Sequence, residues 1–120
     1  TVGFRIQGPN RSVLYLPDID RWSLWATKIE TILAQVDRAY VDGTFYSGKE
    51  LPGRDMSLIP HPSIMESMNR FSRLPEKERD KVRFFHLNHT NPALSHSSDA
   101  SRLINEKGFH VAQQGEQFGL

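Results

Sequence analysis

Short β-prone runs alternate along the chain with segments that carry apolar residues at helical spacing, and this alternation most restricts the available folds. The predicted order is β-β-α-β-α-β-α-β, with strands over 2–6, 13–16, 38–41, 82–87 and 109–112 and helices over 20–36, 62–71 and 98–107. A short helical turn is predicted at 75–79 and a further strand or hairpin at 117–118. We therefore expect one α/β domain over 1–120, with helices packed on a sheet.

The first predicted helix carries an apolar stripe. Its members recur at intervals of three and four residues: Trp22, Trp25, Ile29, Ile32, Leu33 and Val36. This spacing places them on one face of a helix, so we expect the stripe to be buried against the sheet.

Composition narrows the functional classes. The 120-residue chain has a net charge of +1, which gives no reason to expect a nucleic-acid or membrane partner. It contains no cysteine, so any transition-metal site must use His, Asp or Glu. No apolar run approaches the roughly 20 residues of a membrane span, and no signal peptide is visible, so we expect a cytoplasmic protein.

Polar residues follow two predicted strands. Asp42 ends the strand at 38–41, and the adjacent Gly43 allows a tight turn that leaves room for a ligand. His86 and His89 lie where the strand at 82–87 ends. A turn-forming Asp-Gly and hydrogen-bonded structural histidines are the alternatives. Because Asp and His are ligands of zinc and iron, we predict that Asp42 and His86 converge at one edge of the sheet.

His61 is a third candidate. It lies between Pro60 and Pro62, and this stiff backbone at a helix start suits a catalytic or ligand residue as well as an ordinary loop histidine. His96 and His110 fit no such pattern, and we interpret them as surface or structural residues.

Three motifs together resemble a known family. The runs VDGTF at 41–45, HPSI at 61–64 and HLNHTNP at 86–92 resemble, in order and spacing, the C-terminal part of metallo-β-lactamase-fold proteins of the PQQ-biosynthesis protein B branch. The resemblance continues through GFHVA at 108–112 and covers nearly the whole chain. It implies the C-terminal half of an αββα sandwich, with metals at the edge where the two sheets meet.

The resemblance also implies roles for individual residues. Asp42 matches the strand-end metal ligand, His86 matches the last ligand, and His61 fits the catalytic position that faces the reacting group. At the position of His89 the family commonly has Asn, so this chain departs from the family here. The alternatives are that His89 adds a metal ligand, that it carries a proton, or that it changes only the surroundings of the ligands. The family's His-x-His-x-Asp-His run is absent from these 120 residues.

Three functions remain open. The first is part of a zinc-dependent hydrolase, in which a metal-bound water attacks an ester, phosphoester or amide of a small-molecule or peptide substrate. The second is an iron-dependent oxygenase or a transport or accessory protein of PQQ biosynthesis. The third is a non-catalytic α/β module.

The chain starts directly on a β-prone run without an initiator Met, so we expect a fragment or a processed chain. Its expected partner is then the missing N-terminal half of the same domain, on which enzymatic activity depends. The exposed apolar face left by that half would promote self-association into a homo-oligomer. With few ligands, the isolated chain should bind zinc or iron weakly.

Overall fold

The computed structural model describes residues 3–17, 19, 22, 28–47 and 61–120. Trp25, which is predicted to belong to the buried stripe, lies outside these residues. No helix in the described part of the chain is both long and apolar enough to cross a membrane.

Within the described residues, five strands and four α-helices follow one another in the predicted order. The strands are β1 (Phe4–Gln7), β2 (Ser12–Leu16), β3 (Arg38–Asp42), β4 (Val82–Phe85) and β5 (His110–Val111). The helices are α1 (Ile29–Leu33), α2 (Ile64–Phe71), α3 (Glu76–Arg79) and α4 (Asp99–Glu106), and a 3-10 helix covers Pro92–Leu94. The predicted strand or hairpin at 117–118 is wrong, because that segment has no strand structure.

The strands form one sheet in the order β1-β2-β3-β4-β5. The hairpin pair β1–β2 is antiparallel, and every later pair is parallel. Each parallel crossover therefore steps to the next strand in the same direction. Because such crossovers are right-handed, their helices gather on one face of the sheet. The carboxyl ends of β2, β3 and β4 meet at one edge.

The helix-covered face holds the core. Alternate strand residues point toward the helices, and side chains from three helices fill the space above them. The fully buried members include Leu16, Val41, Phe84, Leu33, Ile64, Phe71, Ile104 and Phe109. Trp22 is also buried, at 5% exposure, so this part of the predicted stripe is confirmed. Its indole Nε1 donates a 2.8 Å hydrogen bond to Ser67 Oγ.

The opposite face of the sheet is apolar and partly open. Phe4, Ile6 and Tyr15 are 56%, 45% and 39% exposed, and the register places Phe4 beside Tyr15. The ring of Tyr15 lies 5.2 Å from that of Phe85, centroid to centroid. A groove on this face is lined by Ile6, Tyr15 and Phe85 together with Phe118 and Leu120. The predicted exposed apolar face is therefore present.

Two predicted helix starts are corrected. The helix expected over 20–36 is not continuous, because Lys28 has an extended ψ of 130° and α1 begins at Ile29. Ile29 and Leu33 are still buried, because the apolar period specifies which residues face the core and not whether the backbone is continuous. Pro62 precedes α2 rather than occupying its first turn, because Ser63 and Glu66 form a capping box that fixes the start.

The C-terminal segment folds back over the open face. The carbonyl oxygen of Leu120 accepts hydrogen bonds from the backbone of Asn10 and Arg11. Glu116 accepts a 2.6 Å hydrogen bond from the hydroxyl of Tyr40 and lies 3.6 Å from Arg38. Burial alone would raise the pKa of Glu116, but hydrogen bonds from Gln113 N–H and Tyr40, with the nearby Arg38 charge, bring it below its ordinary value.

Replacing Phe71 with Ala should destabilise the chain strongly. Phe71 is completely buried, and its ring lies 5.5 Å from Trp22 and 6.4 Å from Phe109, centroid to centroid. The cavity left by truncation should cost about 3–5 kcal/mol in the free energy of unfolding, measured by urea denaturation. The matched control Phe4→Ala removes an exposed ring and should change it by less than about 1 kcal/mol. A cost for Phe71→Ala as small as the control's would contradict this core.

Glu116→Gln should lower stability by about 1 kcal/mol at pH 7, because the ion pair with Arg38 is lost. Folding lowers the pKa of Glu116, so its stabilisation is complete above the unfolded-state pKa near 4.5 and is lost as pH falls through the lower folded-state pKa. The difference between wild type and variant in urea denaturation should therefore narrow on acidification. Glu106→Gln, at an exposed site on α4, is the control and should show no such pH dependence. A difference that grows toward acid pH would contradict the assignment.

Candidate metal-binding edge

Asp42 and His86 lie at the same edge of the sheet. Asp42 is the last residue of β3, and it is paired in register with Phe85, the last residue of β4. His86 follows directly. Open α/β sheets place ligands beyond the carboxyl ends of their parallel strands, which is where these residues are.

The Asp42 carboxylate is fully buried and accepts four hydrogen bonds. Oδ1 accepts from the backbone N–H of Thr44 at 2.9 Å and from its hydroxyl at 2.6 Å. Oδ2 accepts from the backbone N–H of Ile19 at 3.1 Å and is 2.6 Å from His61 Nδ1. A buried carboxylate needs such donors, because desolvation of an unpaired charge is very costly. Three chain segments are thus joined at one side chain.

His61 is oriented by this contact. A carboxylate oxygen can only accept, so Nδ1 of His61 donates the 2.6 Å hydrogen bond to Asp42 Oδ2. The backbone that follows His61 is held as well, because Phe45 O accepts from Ile64 N–H at 2.8 Å and Tyr46 O accepts from Met65 N–H at 3.0 Å. A carboxylate that fixes one imidazole nitrogen directs the other nitrogen toward a metal or a reacting group.

His86 is connected to Asp42 through Thr44. Its Nδ1 is 3.4 Å from the Thr44 hydroxyl, which donates to Asp42. His86 has a φ of +63°, the one left-handed non-glycine residue in the part of the chain that the structure describes. Such backbone costs of order 1 kcal/mol or more and is common at functional sites, where the surroundings hold it. The side chain is exposed to solvent.

His89 is not joined to this cluster by any hydrogen bond that the structure shows, and it is exposed. His96 is exposed too, and His110 pairs with Asp80 at 2.7 Å. The surface or structural interpretation of His96 and His110 therefore agrees with their positions. Whether His89 acts as a ligand stays a prediction.

The side chain of Asn91 connects the loop after β4 to the turn after β3 by a hydrogen bond. It is 2% exposed, and its Nδ2 donates a 2.8 Å hydrogen bond to Gly43 O. Its Oδ1 accepts from Ala93 N–H at 2.9 Å, which begins the 3-10 helix. The backbone N–H of Asn88 donates to Thr44 O at 2.9 Å, so the loops after β3 and β4 are directly bonded. These contacts set the separation between the Asp42 and His86 segments.

The expected role of Gly43 is corrected. A Cβ on this residue would lie 3.0 Å from both Phe84 Cβ and Phe85 O. The space that the missing side chain leaves is thus filled by β4 rather than by a ligand. Gly43 permits close packing of the two strand ends that carry Asp42 and His86.

The sequence interpretation did not assign roles to Thr44 and Asn91. An Asp two residues before a Thr commonly accepts a hydrogen bond from its backbone N–H, and this spacing could have identified Thr44. Asn before Pro is likewise a helix-capping signal, which could have identified Asn91. The sequence could not show that both residues also connect β3 to β4.

The side chains at this edge are of the types that bind zinc or iron, but they are too few to form a complete metal site. Carboxylate oxygen and imidazole nitrogen suit both metals. Among the described residues, no group of three or more His, Asp or Glu side chains could hold a metal ion. The Asp42 carboxylate accepts four hydrogen bonds in this structure, so a metal ion bound to it would have to replace at least one of them.

A cavity of about 430 Å³ opens beside His86. Its wall combines apolar groups, among them Leu87 and Leu94, with the polar side chains of His96 and Gln113. Ligand pockets commonly combine an apolar wall with a few polar groups. The exposed imidazole of His86 therefore borders a space that could receive a small molecule.

A single α/β sheet with helices on one face and a polar edge at its strand ends is the arrangement of part of a metallo-β-lactamase-fold protein. Zinc-bound PqqB from Methylobacterium extorquens matches 100% of this chain with a TM-score of 0.80 at 21% identity. Coenzyme PQQ synthesis protein B of Methylobacterium nodulans is 28% identical over 123 residues, covering 96% of this chain. No protein-family model matches the chain.

The resemblance and the fold predicted from the sequence motifs are thereby confirmed. The chain spans 39% of the Methylobacterium nodulans protein and 44% of the Methylobacterium extorquens chain, which is about two fifths of each. The activity of such a whole protein is therefore a separate question from the fold of this chain.

Asn91→Asp should lower the free energy of unfolding, because it removes the hydrogen bond between the turn after β3 and the loop after β4. The new carboxylate would face the carbonyl oxygen of Gly43 and lose the buried hydrogen bond, at a cost of about 1–3 kcal/mol in the free energy of unfolding. Urea denaturation measures the loss. The control Asn69→Asp adds the same charge at an exposed site on α2 and should cost about 0.5 kcal/mol or less. Equal effects of the two substitutions would show that Asn91 does not brace the site.

Proposed function

We propose that this chain supplies one side of the active site of a metal-dependent hydrolase with the metallo-β-lactamase fold. Asp42 and His86 are the proposed metal ligands, and His61 is the proposed catalytic residue. The observation that carries the proposal is the joining of Asp42, Thr44, His61 and His86 by hydrogen bonds at one sheet edge. His89 is a further candidate ligand on the adjacent loop.

The proposed ligand set is completed outside the described residues. The remaining part of the sandwich would supply further donors and would cover the apolar face that carries Phe4, Ile6 and Tyr15. The length of the relatives supports this view, since the chain spans about two fifths of each. Zinc is the proposed metal, and the Methylobacterium extorquens relative is described as zinc-bound.

A bound metal ion supplies Lewis-acid chemistry that lowers the pKa of water toward neutrality. The residues of this chain then have separate tasks. Asp42 fixes the ring of His61 through Nδ1, so that Nε2 can exchange a proton with the reacting group. Thr44 holds the carboxylate orientation with two hydrogen bonds. The cavity beside His86 receives the ester, phosphoester or amide substrate.

A role in PQQ biosynthesis is the second candidate. The name of the Methylobacterium nodulans relative favours it, because that protein is a coenzyme PQQ synthesis protein. His and carboxylate ligands also suit non-haem iron, which supports oxygen chemistry. The two candidates differ in metal, so an anaerobic comparison of Fe²⁺ and Zn²⁺ binding distinguishes them.

Zinc titration of the metal-free 120-residue chain tests the ligand assignment. We expect a dissociation constant weaker than about 1 µM, because a catalytic zinc site normally takes three protein ligands plus water. Calorimetry measures the affinity, and NMR of the histidine rings identifies which of them respond. The His86 signals should shift, and Asp42→Asn should abolish that response. His86→Ala should weaken the affinity measured by calorimetry.

His110→Asn is the matched control, since His110 pairs with Asp80 and lines neither the hydrogen-bonded cluster nor the cavity beside His86. It should leave zinc binding unchanged. Submicromolar binding by a stable monomer would mean that the site is complete within this chain. Zinc binding that persists unchanged in Asp42→Asn would exclude Asp42 as a ligand.

A further inference from the structure

A second cleft, separate from the Asp42 cluster, lies on the sheet beside β4 and β5. Its volume is about 210 Å³, and its wall includes Arg83, His96, Asn105, His110, Gln113 and Glu116. We propose that this cleft binds the oxyanion group of a small molecule, a carboxylate or a phosphate, through the guanidinium of Arg83.

The sheet register places Arg83 on the open face. Val82 and Phe84, its neighbours in β4, are completely buried in the helix-covered core. Because successive strand residues point to opposite faces, Arg83 projects away from that core. It is paired in register with Tyr40 on one side and His110 on the other. The position of the side chain is therefore fixed by strand pairing rather than by a loop.

The guanidinium has an unused edge. Nη1 donates to the backbone oxygens of Asp80 and Val82. Nε and Nη2 make no hydrogen bond to the described residues, and no carboxylate among these residues lies within 4.0 Å of the group. The Nε–H and Nη2–H groups of an arginine point in parallel, which matches the two oxygens of a carboxylate or phosphate.

The carboxylates nearby are already paired. Glu116 accepts from Tyr40 and from Gln113 N–H and lies 3.6 Å from Arg38. Asp80 is 2.7 Å from His110 Nε2, and this hydrogen bond lowers the pKa of Asp80. The charge of Arg83 therefore has no close counter-ion of its own among the described residues.

The charge of Arg83 is also partly removed from water. Burial lowers the pKa of Arg83, and the neighbouring positive charge of Arg38 lowers it further, while Asp80, Glu116 and Tyr40 act in the opposite direction without cancelling the shift. The group remains a cation at neutral pH, but its environment disfavours the charge. An anion beside the unused edge would relieve both effects, and it would gain charge-assisted hydrogen bonds.

The rest of the wall suits a small anionic group. The side-chain amides of Asn105 and Gln113 line the cleft and can donate hydrogen bonds to oxygen. A volume of about 210 Å³ accommodates such a group but is small for a whole drug-sized ligand. His96, Val111 and Gln113 also line the cavity beside His86, so the body of a ligand has space to extend there.

Titration of the 120-residue chain with inorganic phosphate, and separately with glutarate, tests the proposal at low ionic strength. NMR of the backbone and side-chain amides should show saturable shifts centred on Arg83, Gln113 and His110. Arg83→Gln should weaken binding at least about tenfold, because the charged fork is lost. Arg83→Lys should also weaken it about tenfold, because an ammonium keeps the charge but lacks the fork.

Arg73→Gln is the matched control, because Arg73 is an exposed arginine whose loss should leave the titration unchanged. Circular dichroism confirms that each variant is folded. Binding of phosphate alone identifies a phosphate group as the ligand, and binding of glutarate alone identifies a carboxylate. No saturable binding of either probe by the wild-type chain would overturn the proposal, as would equal binding by Arg83→Gln or shifts centred outside the cleft.

Discussion

The buried carboxylate of Asp42 is the constraint on which the candidate site depends. A charge with no solvent exposure is tolerated only when donors replace water, and Asp42 receives four of them. These donors come from the segment after β2, the turn after β3 and the loop before α2. Their positions are therefore coupled. Moving any one of the three segments would remove at least one donor from a buried charge, so each segment is held in place by the carboxylate.

The two faces of the sheet have different tasks. The helix-covered face provides the hydrophobic core. Large side chains on this face, such as Phe84 and Phe109, are almost completely buried by other described residues. The opposite face carries exposed aromatic and aliphatic groups, partly covered by the C-terminal segment around Phe118. The guanidinium of Arg38 lies 4.2 Å from that ring centroid, a cation–π contact that helps to hold the segment down.

The sequence was sufficient for the order of elements, because alternation and helical spacing record burial directly. It also identified the strand ends at Asp42 and His86, since a polar residue after an apolar run indicates where a strand leaves the core. The sequence did not predict that α1 begins only after the extended residue Lys28, because the apolar stripe continues through this position. It could not predict that Gly43 makes room for β4, since this close approach depends on Phe84 and Phe85, which are 41 and 42 positions away (84 − 43 and 85 − 43).

The pairing of β3 with β4 explains why the site is rigid on one side and open on the other. Asn91 and Asn88 bond the loops that follow these strands, and this support keeps His86 in a left-handed conformation that an isolated peptide would seldom adopt. The strained backbone turns the chain away from the strand direction, and the exposed imidazole borders the cavity beside it. The same strand places Arg83 three residues earlier, in a cleft that shares a wall with that cavity. Strand pairing therefore sets the separation between the candidate metal ligand and the proposed oxyanion site, so that a ligand reaching both would be selected by its length.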